Sequence, residues 1–164
     1  MMGSIKTRSK DFEKGLAGEV SFRNLIGESI TSLATKNENI YSHIDLFARF
    51  GIDVKTIKSQ DEHGNSTYHW VELKNVQGKK GWLYGDHAFI AFETKMFWLI
   101  VPTLELQEFI KENTIKSKRY KVPYHLYTRE GRDDLMVMVP TVDLCSMGFM
   151  LRKNAIVDAS TDKG

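Results

Sequence analysis

The sequence predicts a single α+β, or mixed α/β, domain spanning residues 1–164, with one central sheet flanked by helices. The order of patterns is the first reason, because an amphipathic helix precedes a run of strand-like segments, which a second helix and a hairpin follow. Composition is the second reason, since 41% hydrophobic and 27% charged residues supply one ordinary core. No repeat and no Pro/Gly/Ser-rich linker divides the chain. We therefore expect one folding unit.

A first helix is predicted over residues 11–33, where apolar side chains recur at helical spacing. These side chains are Phe12, Leu16, Val20, Phe22, Ile26, Ile30 and Leu33. Glu19 lies near the middle of this apolar arc, and Arg23 follows one turn later. A carboxylate that faces a core needs a cation or a metal beside it, because burying an unpaired charge is costly. A plain ion pair between Glu19 and Arg23 is the alternative explanation.

Strands are predicted for most of the next part of the chain. Residues 40–59 favour two strands joined by a tight turn at Phe50-Gly51, residues 60–66 form a polar loop, and residues 67–76 form a third strand. Residues 87–93 and 96–101 favour two more strands, after which Thr103 can cap a helix over residues 104–112. A last hairpin is expected over residues 124–140, and a frayed tail after Ala155.

Composition limits the classes of function. The net charge of +2 is only mildly basic, so any argument for nucleic-acid binding must rest on local patches. Cys145 is the only cysteine, which excludes an internal disulfide, Cys-rich zinc modules and Fe–S clusters. No apolar run approaches the ~20 residues that cross a bilayer, and the first residues lack the apolar stretch of a secretory signal. We expect a cytoplasmic protein without a membrane segment.

Two strands place acidic and basic side chains close together in the sequence-based prediction. The period of two puts Trp70, Glu72 and Lys74 on one face of the third strand. Asp53 lies on the preceding strand, one hairpin away from Glu72, and Asp45 is its rival for the same role. Two carboxylates and a lysine can build a divalent-cation site, because oxygen ligands suit Mg²⁺ or Mn²⁺. A pair of ordinary surface ion pairs is the alternative.

The set formed by Glu19, Asp53, Glu72-x-Lys74 and Gln77 resembles the PD-(D/E)xK nuclease superfamily. This superfamily includes restriction endonucleases, Holliday-junction resolvases and phage exonucleases. The order of helix, hairpin and Glu-x-Lys strand matches its shared core over residues 11–101. The stretch WVELKNVQGKKGWLYG is also similar to small members of the superfamily from phages and bacteria.

The resemblance implies a restriction-endonuclease-like core and a Mg²⁺- or Mn²⁺-dependent DNA nuclease, either an endonuclease or a structure-specific enzyme, in a bacterial cell or encoded by a phage. The resemblance implies that Asp53, Glu72 and the backbone carbonyl of Leu73 bind the cation, and that Glu19 tunes it. It also implies that Lys74 orients the attacking water and that Gln77 contacts that water or the scissile phosphate. Such an enzyme hydrolyses phosphodiester bonds with water that the cation activates.

Basic and aromatic side chains around this site are candidates for DNA contacts. They are Lys79, Lys80, Trp82, Lys116, Lys118 and Arg119. A solvated surface is the plainer explanation for the charges, and an aromatic anchor for the loop is the plainer one for Trp82. RNA as substrate and a homodimer both stay open. The alternative functions are a nucleic-acid-binding module without cleavage and a protein-interaction domain that keeps the fold.

Overall fold

A computed structural model of the chain describes residues 4–26, 32–47, 50–57 and 67–153. The helices are α1 (Ser4–Ile26), α2 (Thr103–Asn113) and α3 (Thr141–Met147), with a π-helical turn at Glu38–Ser42 and a 3₁₀ turn at Trp82–Tyr84. The strands are β1 (Ser32–Leu33), β2 (Leu46–Phe47), β3 (Gly51–Lys55), β4 (Tyr68–Lys74), β5 (Phe89–Glu93), β6 (Phe97–Pro102), β7 (Ile115–Lys118), β8 (His125–Tyr127), β9 (Leu135–Pro140) and β10 (Phe149–Arg152). The predicted loop 60–66 and the predicted tail after residue 155 lie outside the described residues.

The strands form two mixed sheets, so the predicted combination of helices and strands is confirmed and the predicted single sheet is wrong. The six-stranded sheet has the order β1-β2-β3-β5-β6-β10, and the four-stranded sheet has the order β4-β9-β8-β7. Parallel pairing occurs between β3 and β5 in the first sheet and between β7 and β8 in the second. Helices α1, α2 and α3 pack against these strands.

The strand that follows β3 in the chain is not its neighbour in space. The antiparallel pair of β2 and β3 confirms the predicted turn near residues 50–51, but the other edge of β3 pairs with β5. Strand β5 suits this central position because Ile90, Ala91 and Phe92 are buried in succession. Strand β4 belongs to the other sheet, where it pairs with β9. The predicted placement of Asp53 and Glu72 on adjacent strands is therefore wrong.

Helix α1 packs on the six-stranded sheet through only part of its predicted apolar face, and it ends at Ile26, before the predicted end at residue 33, which lies in β1. Phe22 is buried and meets the ring of Trp98 edge-on, with ring centroids 4.9 Å apart. A Cβ at Gly18 would lie 2.0 Å from the Thr56 side chain, so glycine permits the helix to approach the end of β3. Phe12 and Leu16, in contrast, are 72% and 44% exposed. The close approach at Gly18 brings its neighbour Glu19 toward β3.

Two apolar clusters lie on opposite sides of the six-stranded sheet. The cluster beneath α1 contains Phe22, Ile52, Val54, Ala91, Trp98 and Ile100. The second cluster joins both sheets to α2 and α3, and its members are Val71, Leu83, Ile90, Phe92, Leu99, Val101, Leu106, Ile110, Val137, Val139 and Leu144. Alternation along β3 and β5 explains this division, because successive side chains of a strand point to opposite faces.

The remaining predicted elements are mostly confirmed. Strands β5 and β6, helix α2 and the antiparallel pair of β8 and β9 lie where the patterns predicted them. Pro102, and not Thr103, occupies the position before α2. Helix α3 and strands β7 and β10 were not predicted. In the described part of the chain, no helix is long and apolar enough to cross a membrane.

Candidate active site

Asp53 and Lys55 form an ion pair on β3. Strand alternation gives them the face opposite to Ile52 and Val54, which pack beneath α1. The Lys55 Nζ lies 2.6 Å from Asp53 Oδ1, and the aspartate is 1% exposed. Among the residues that the structure describes, no donor reaches the other carboxylate oxygen, Oδ2. A buried carboxylate oxygen without a donor is costly, so this position calls for a functional explanation.

His87 lies beside that oxygen as a neutral ring. Its Nε2 is 2.9 Å from the backbone carbonyl of Trp82, and its Nδ1 is 2.8 Å from the Thr103 hydroxyl. Because a carbonyl only accepts, the ring proton is on Nε2 and the Thr103 hydroxyl donates to Nδ1. Burial lowers the pKa of His87, which keeps the ring neutral near pH 7. Although Nε2 lies 3.7 Å from Asp53 Oδ2, it therefore supplies no full positive charge there.

Asp45, the rival position, also belongs to the site. Before it, the π-helical turn ends at His43 with a left-handed φ of 55°, and the Asp45 N–H then donates to the carbonyl of Ile52. Its buried carboxylate accepts from the Asn39 side-chain amide and from the backbone N–H of Val54. Burial, followed by the negative charge of Asp53, raises the pKa of Asp45 to about 7.

Glu19 extends this group of carboxylates from α1. Burial, followed by the charges of Asp45 and Asp53, raises the pKa of Glu19 to about 7, while Lys55 acts in the opposite direction. Its electrostatic neighbours are thus the residues of the β2–β3 region, as its inward placement on the helix predicted. The charges of Asp45 and Asp53 both raise the pKa of Glu19, and the charge of Asp53 raises the pKa of Asp45, so the group gathers negative charge when Glu19 and Asp45 ionise.

Glu72 lies on the other side of Lys55, on a strand of the second sheet. Its carboxylate accepts a hydrogen bond from the backbone N–H of Trp82, and burial raises the pKa of Glu72 although Lys55 and Arg129 oppose this. A Cβ at Gly81 would lie 2.3 Å from the Glu72 carbonyl oxygen, so glycine permits this loop to close onto β4. The Lys55 Nζ is 4.7 Å from the centre of the Trp82 ring. Lys55 therefore interacts with both acidic groups.

Other predicted site residues lie at the surface. Lys74 is exposed, and a register shift between Glu72 and Lys74 breaks the alternation that had placed them on one face. The Leu73 carbonyl accepts a hydrogen bond of 2.9 Å from the Gly81 N–H. Gln77 is exposed, and its backbone N–H is bound by the Asn75 side chain. The structure does not bring Lys74 or the Gln77 side chain into the group around Asp53.

The predicted DNA-contact residues lie at two places. Lys79 and Lys80 are exposed on the loop after β4, where Lys80 pairs with Lys74 as an isolated bridge. The exposed basic side chains of the other patch, Lys116, Lys118 and Arg119, lie on or directly after β7. The next residue, Tyr120, lines a pocket of about 370 Å³ together with Lys55, Glu72 and Trp82. The second basic patch therefore adjoins the candidate site.

The donor chemistry of the site suits a hard divalent cation, although its geometry is not that of a preformed metal centre. Within the described ranges, no three His, Cys, Asp or Glu side chains converge as a metal-binding group. The available donors are carboxylate oxygens, which Mg²⁺ and Mn²⁺ prefer, and the unpartnered Asp53 Oδ2 is one of them. Asp45 and Asp53 thus fit such a cation, with Glu19 close enough to respond to its charge.

Sequence reasoning missed Lys55, Asn39 and His87. A signal existed for Lys55, because Asp53-x-Lys55 has the same acid-x-lysine spacing as Glu72-x-Lys74. No sequence pattern indicated that Asn39 binds Asp45 or that His87 lies beside Asp53. These contacts depend on turns and on the pairing of β3 with β5.

No family model, curated protein or solved structure matches the chain.

Proposed function

We propose that the chain is a divalent-cation-dependent DNA nuclease of the PD-(D/E)xK type, with a restriction-endonuclease-like core and a reactive centre at Asp45, Asp53 and Lys55. One observation carries the proposal: among the described residues, no hydrogen-bond donor reaches one oxygen of the buried Asp53, while Asp45 and Lys55 lie beside it. The single cysteine suits the reducing cytoplasm of a bacterial cell.

The proposal changes which residues fill the superfamily pattern. Asp53-x-Lys55 supplies the acid and the lysine, and Asp45 supplies the earlier aspartate. Support comes from the ion pair, since Lys55 contacts Asp53 whereas Lys74 is exposed beyond a register shift. Glu72 remains a neighbour of Lys55 and a candidate for positioning that lysine.

Asp45 and Asp53 are the residues that would hold the cation, with Glu19 adjusting the local charge. Burial, followed by the charge of neighbouring carboxylates, raises the pKa of Glu19 and of Asp45, and a divalent cation would offset that negative charge. When bound, the cation supplies polarisation of the phosphate and activation of water.

The protein's own groups have distinct tasks in this proposal. Lys55 presents an ammonium that can donate to a phosphate oxygen, where negative charge increases during hydrolysis. The Trp82 ring face contacts the Lys55 ammonium, and the backbone N–H of Trp82 donates to the Glu72 carboxylate. His87, bound on both ring nitrogens, stays neutral beside Asp53 and leaves that carboxylate free to bind a cation.

A cleavage assay over a panel of labelled nucleic acids tests the proposal. The panel contains duplex ends, nicks, branched junctions and single strands of DNA, with RNA counterparts, each incubated with Mg²⁺, Mn²⁺ or EDTA. We expect cleavage with either cation, none in EDTA, and none by the Asp53→Asn variant purified in the same way.

The other outcomes identify the alternatives. Binding that depends on salt without cleavage of any substrate would indicate a non-catalytic nucleic-acid-binding module. Neither binding nor cleavage would favour a protein-interaction domain. Cleavage that persists equally in Asp53→Asn would refute the assignment of the reactive centre.

A further inference from the structure

Three aromatic rings meet in the pocket that the candidate site shares. The ring of Trp70 on β4 is nearly parallel to that of Tyr120, at 13°, with centroids 6.5 Å apart. Tyr127 on β8 completes the group, at 5.3 Å from Trp70 and 5.0 Å from Tyr120. Tyr120 is 60% exposed, and the other two rings are half-buried. These rings form an accessible surface and not part of the apolar core.

Basic side chains surround this aromatic surface, and two of them, Lys55 and Arg129, are paired with Asp53 and Asp134. Lys55 and Arg129 line the same pocket, and the Lys121 Nζ lies 5.2 Å from the centre of the Tyr120 ring. Lys118 and Arg119, which directly precede Tyr120, are exposed as well. Aromatic faces with cations around them bind single-stranded nucleic acids, because bases stack on the rings while the phosphates bind the cations.

The pocket has room for a small planar ligand and adjoins the proposed reactive centre. Its volume of about 370 Å³ falls within the range of ~300–1,000 Å³ that is usual for small-ligand sites. Lys55 lines the pocket and contacts Asp53, so a base held there brings its flanking phosphates near the carboxylates. Trp82, the aromatic side chain predicted to contact DNA, has Lys55 over its ring. Trp70 and Tyr120 are therefore better placed to stack on a base.

We propose that the pocket formed around Trp70, Tyr120 and Tyr127 binds an unpaired nucleobase, which makes single-stranded nucleic acid the preferred substrate; this inference rests on the proposed nuclease function. Bases inside a duplex are stacked on one another and do not present their faces to the protein. Stacking does not distinguish DNA from RNA, so both are included in the test.

The test measures binding in EDTA, where cation-dependent cleavage is prevented. Fluorescence anisotropy of labelled oligothymidylate and oligouridylate, each about 12 nucleotides long, is compared with that of a blunt duplex of the same length. We expect the wild-type protein to bind single strands more tightly than the duplex. Trp70→Leu and Tyr120→Leu should each weaken single-strand binding about tenfold, because each variant removes one ring on which a base stacks. Trp70→Phe should retain most of the affinity.

The matched control is Phe149→Leu, because Phe149 is 57% exposed and lies on β10, in the six-stranded sheet. This variant should bind like the wild type. Equal losses for single strands and duplex in the pocket variants, or no loss at all, would overturn the inference. If Trp70→Leu does not fold, the largely exposed Tyr120 still provides the test. A preference for oligouridylate over oligothymidylate would identify RNA as the substrate.

The two proposals fail in different ways. If the pocket variants lose single-strand binding but the wild type cleaves nothing with Mg²⁺ or Mn²⁺, the base-binding pocket is supported and the nuclease function is refuted. If the wild type cleaves DNA while the pocket variants bind single strands normally, the nuclease function is supported and the base-binding pocket is refuted.

Discussion

The carboxylate group around Asp53 and the aromatic surface around Trp70 adjoin each other but differ in physical character. Asp45 and Asp53 are buried and repel each other, and the Asp45 carboxylate is held by two donors. Tyr120 and the basic residues beside it are exposed. Burying repelling charges costs stability, whereas exposed charges cost little, so the first region indicates chemistry and the second indicates binding. Substitutions in the two regions should therefore affect different measurements.

The largest expected effect separates Asp45 from Glu72. Asp45→Asn should reduce cation-dependent cleavage on the order of a thousandfold, because it removes a charge from the proposed cation site. Glu72→Gln should reduce it by less, about tenfold, because Glu72 acts only through Lys55. Initial cleavage rates at saturating Mg²⁺ give the comparison, with thermal unfolding as the control for folding. Equal inactivation would return Glu72 to the cation site, as the sequence first indicated.

The next effect compares two lysines. Lys55→Ala should lower the cleavage rate about a hundredfold, because a positioned donor near the reacting phosphate is lost. Lys74→Ala should cleave like the wild type, since its side chain is exposed. Single-turnover rates at saturating protein measure this difference, so that a change in DNA affinity does not enter the comparison. An inactive Lys74→Ala beside an active Lys55→Ala would reverse the assignment.

This pair of lysines also shows where sequence reasoning stops. Local patterns predicted β5, β6, α2 and the β8–β9 pair, because each depends on residues that are near one another in the chain. The split into two sheets depends on the pairing of β3 with β5, across more than thirty residues, which no local pattern encodes. Hence Glu72 was assigned to a hairpin with β3, although it approaches Lys55 from the other sheet.

The candidate site was predicted in part for the same reason. Helical periodicity predicts the inward placement of Glu19, and the place of Asp53 on a strand beside a turn made it a candidate; the structure brings both near Asp45. The register shift after Glu72 removes Lys74 from the face that Glu72 occupies. The alternation of residue types in the sequence does not predict this shift. The two acid-x-lysine patterns are equally good in the sequence, and only the tertiary contacts of Lys55 favour one of them.

A smaller effect concerns the two exposed basic patches. Lys79→Glu with Lys80→Glu, and Lys116→Glu with Lys118→Glu, should each flatten the dependence of log affinity on log salt by about one to two units for duplex DNA. Both double variants remove phosphate contacts that do not read sequence, so all DNA sequences should be affected alike. Titrations at several salt concentrations in EDTA measure the slope. If charge reversal in a patch changes neither the salt dependence nor the affinity, that patch is only a solvated surface.

The smallest effect concerns stability and not cleavage. It tests whether water reaches the pocket wall behind the aromatic surface. His69 on β4 is 8% exposed and lies against Phe92, and burial lowers its pKa to about 4. In the unfolded chain the pKa of histidine is ~6.5, so below that pH the unfolded state takes up a proton that the folded state does not. The folded state should lose about 2 kcal/mol of stability from this residue between pH 7 and pH 5.

Urea unfolding at both pH values measures the loss, which should shrink by that amount in His69→Gln. His43 and His87, whose pKa burial also lowers, add to this loss, whereas Glu19 and Asp45, whose pKa is raised, oppose it because the folded state takes up their protons first. The difference between the wild type and His69→Gln therefore isolates the contribution of His69. An unchanged pH dependence in His69→Gln would show that water reaches His69 and that the wall is open.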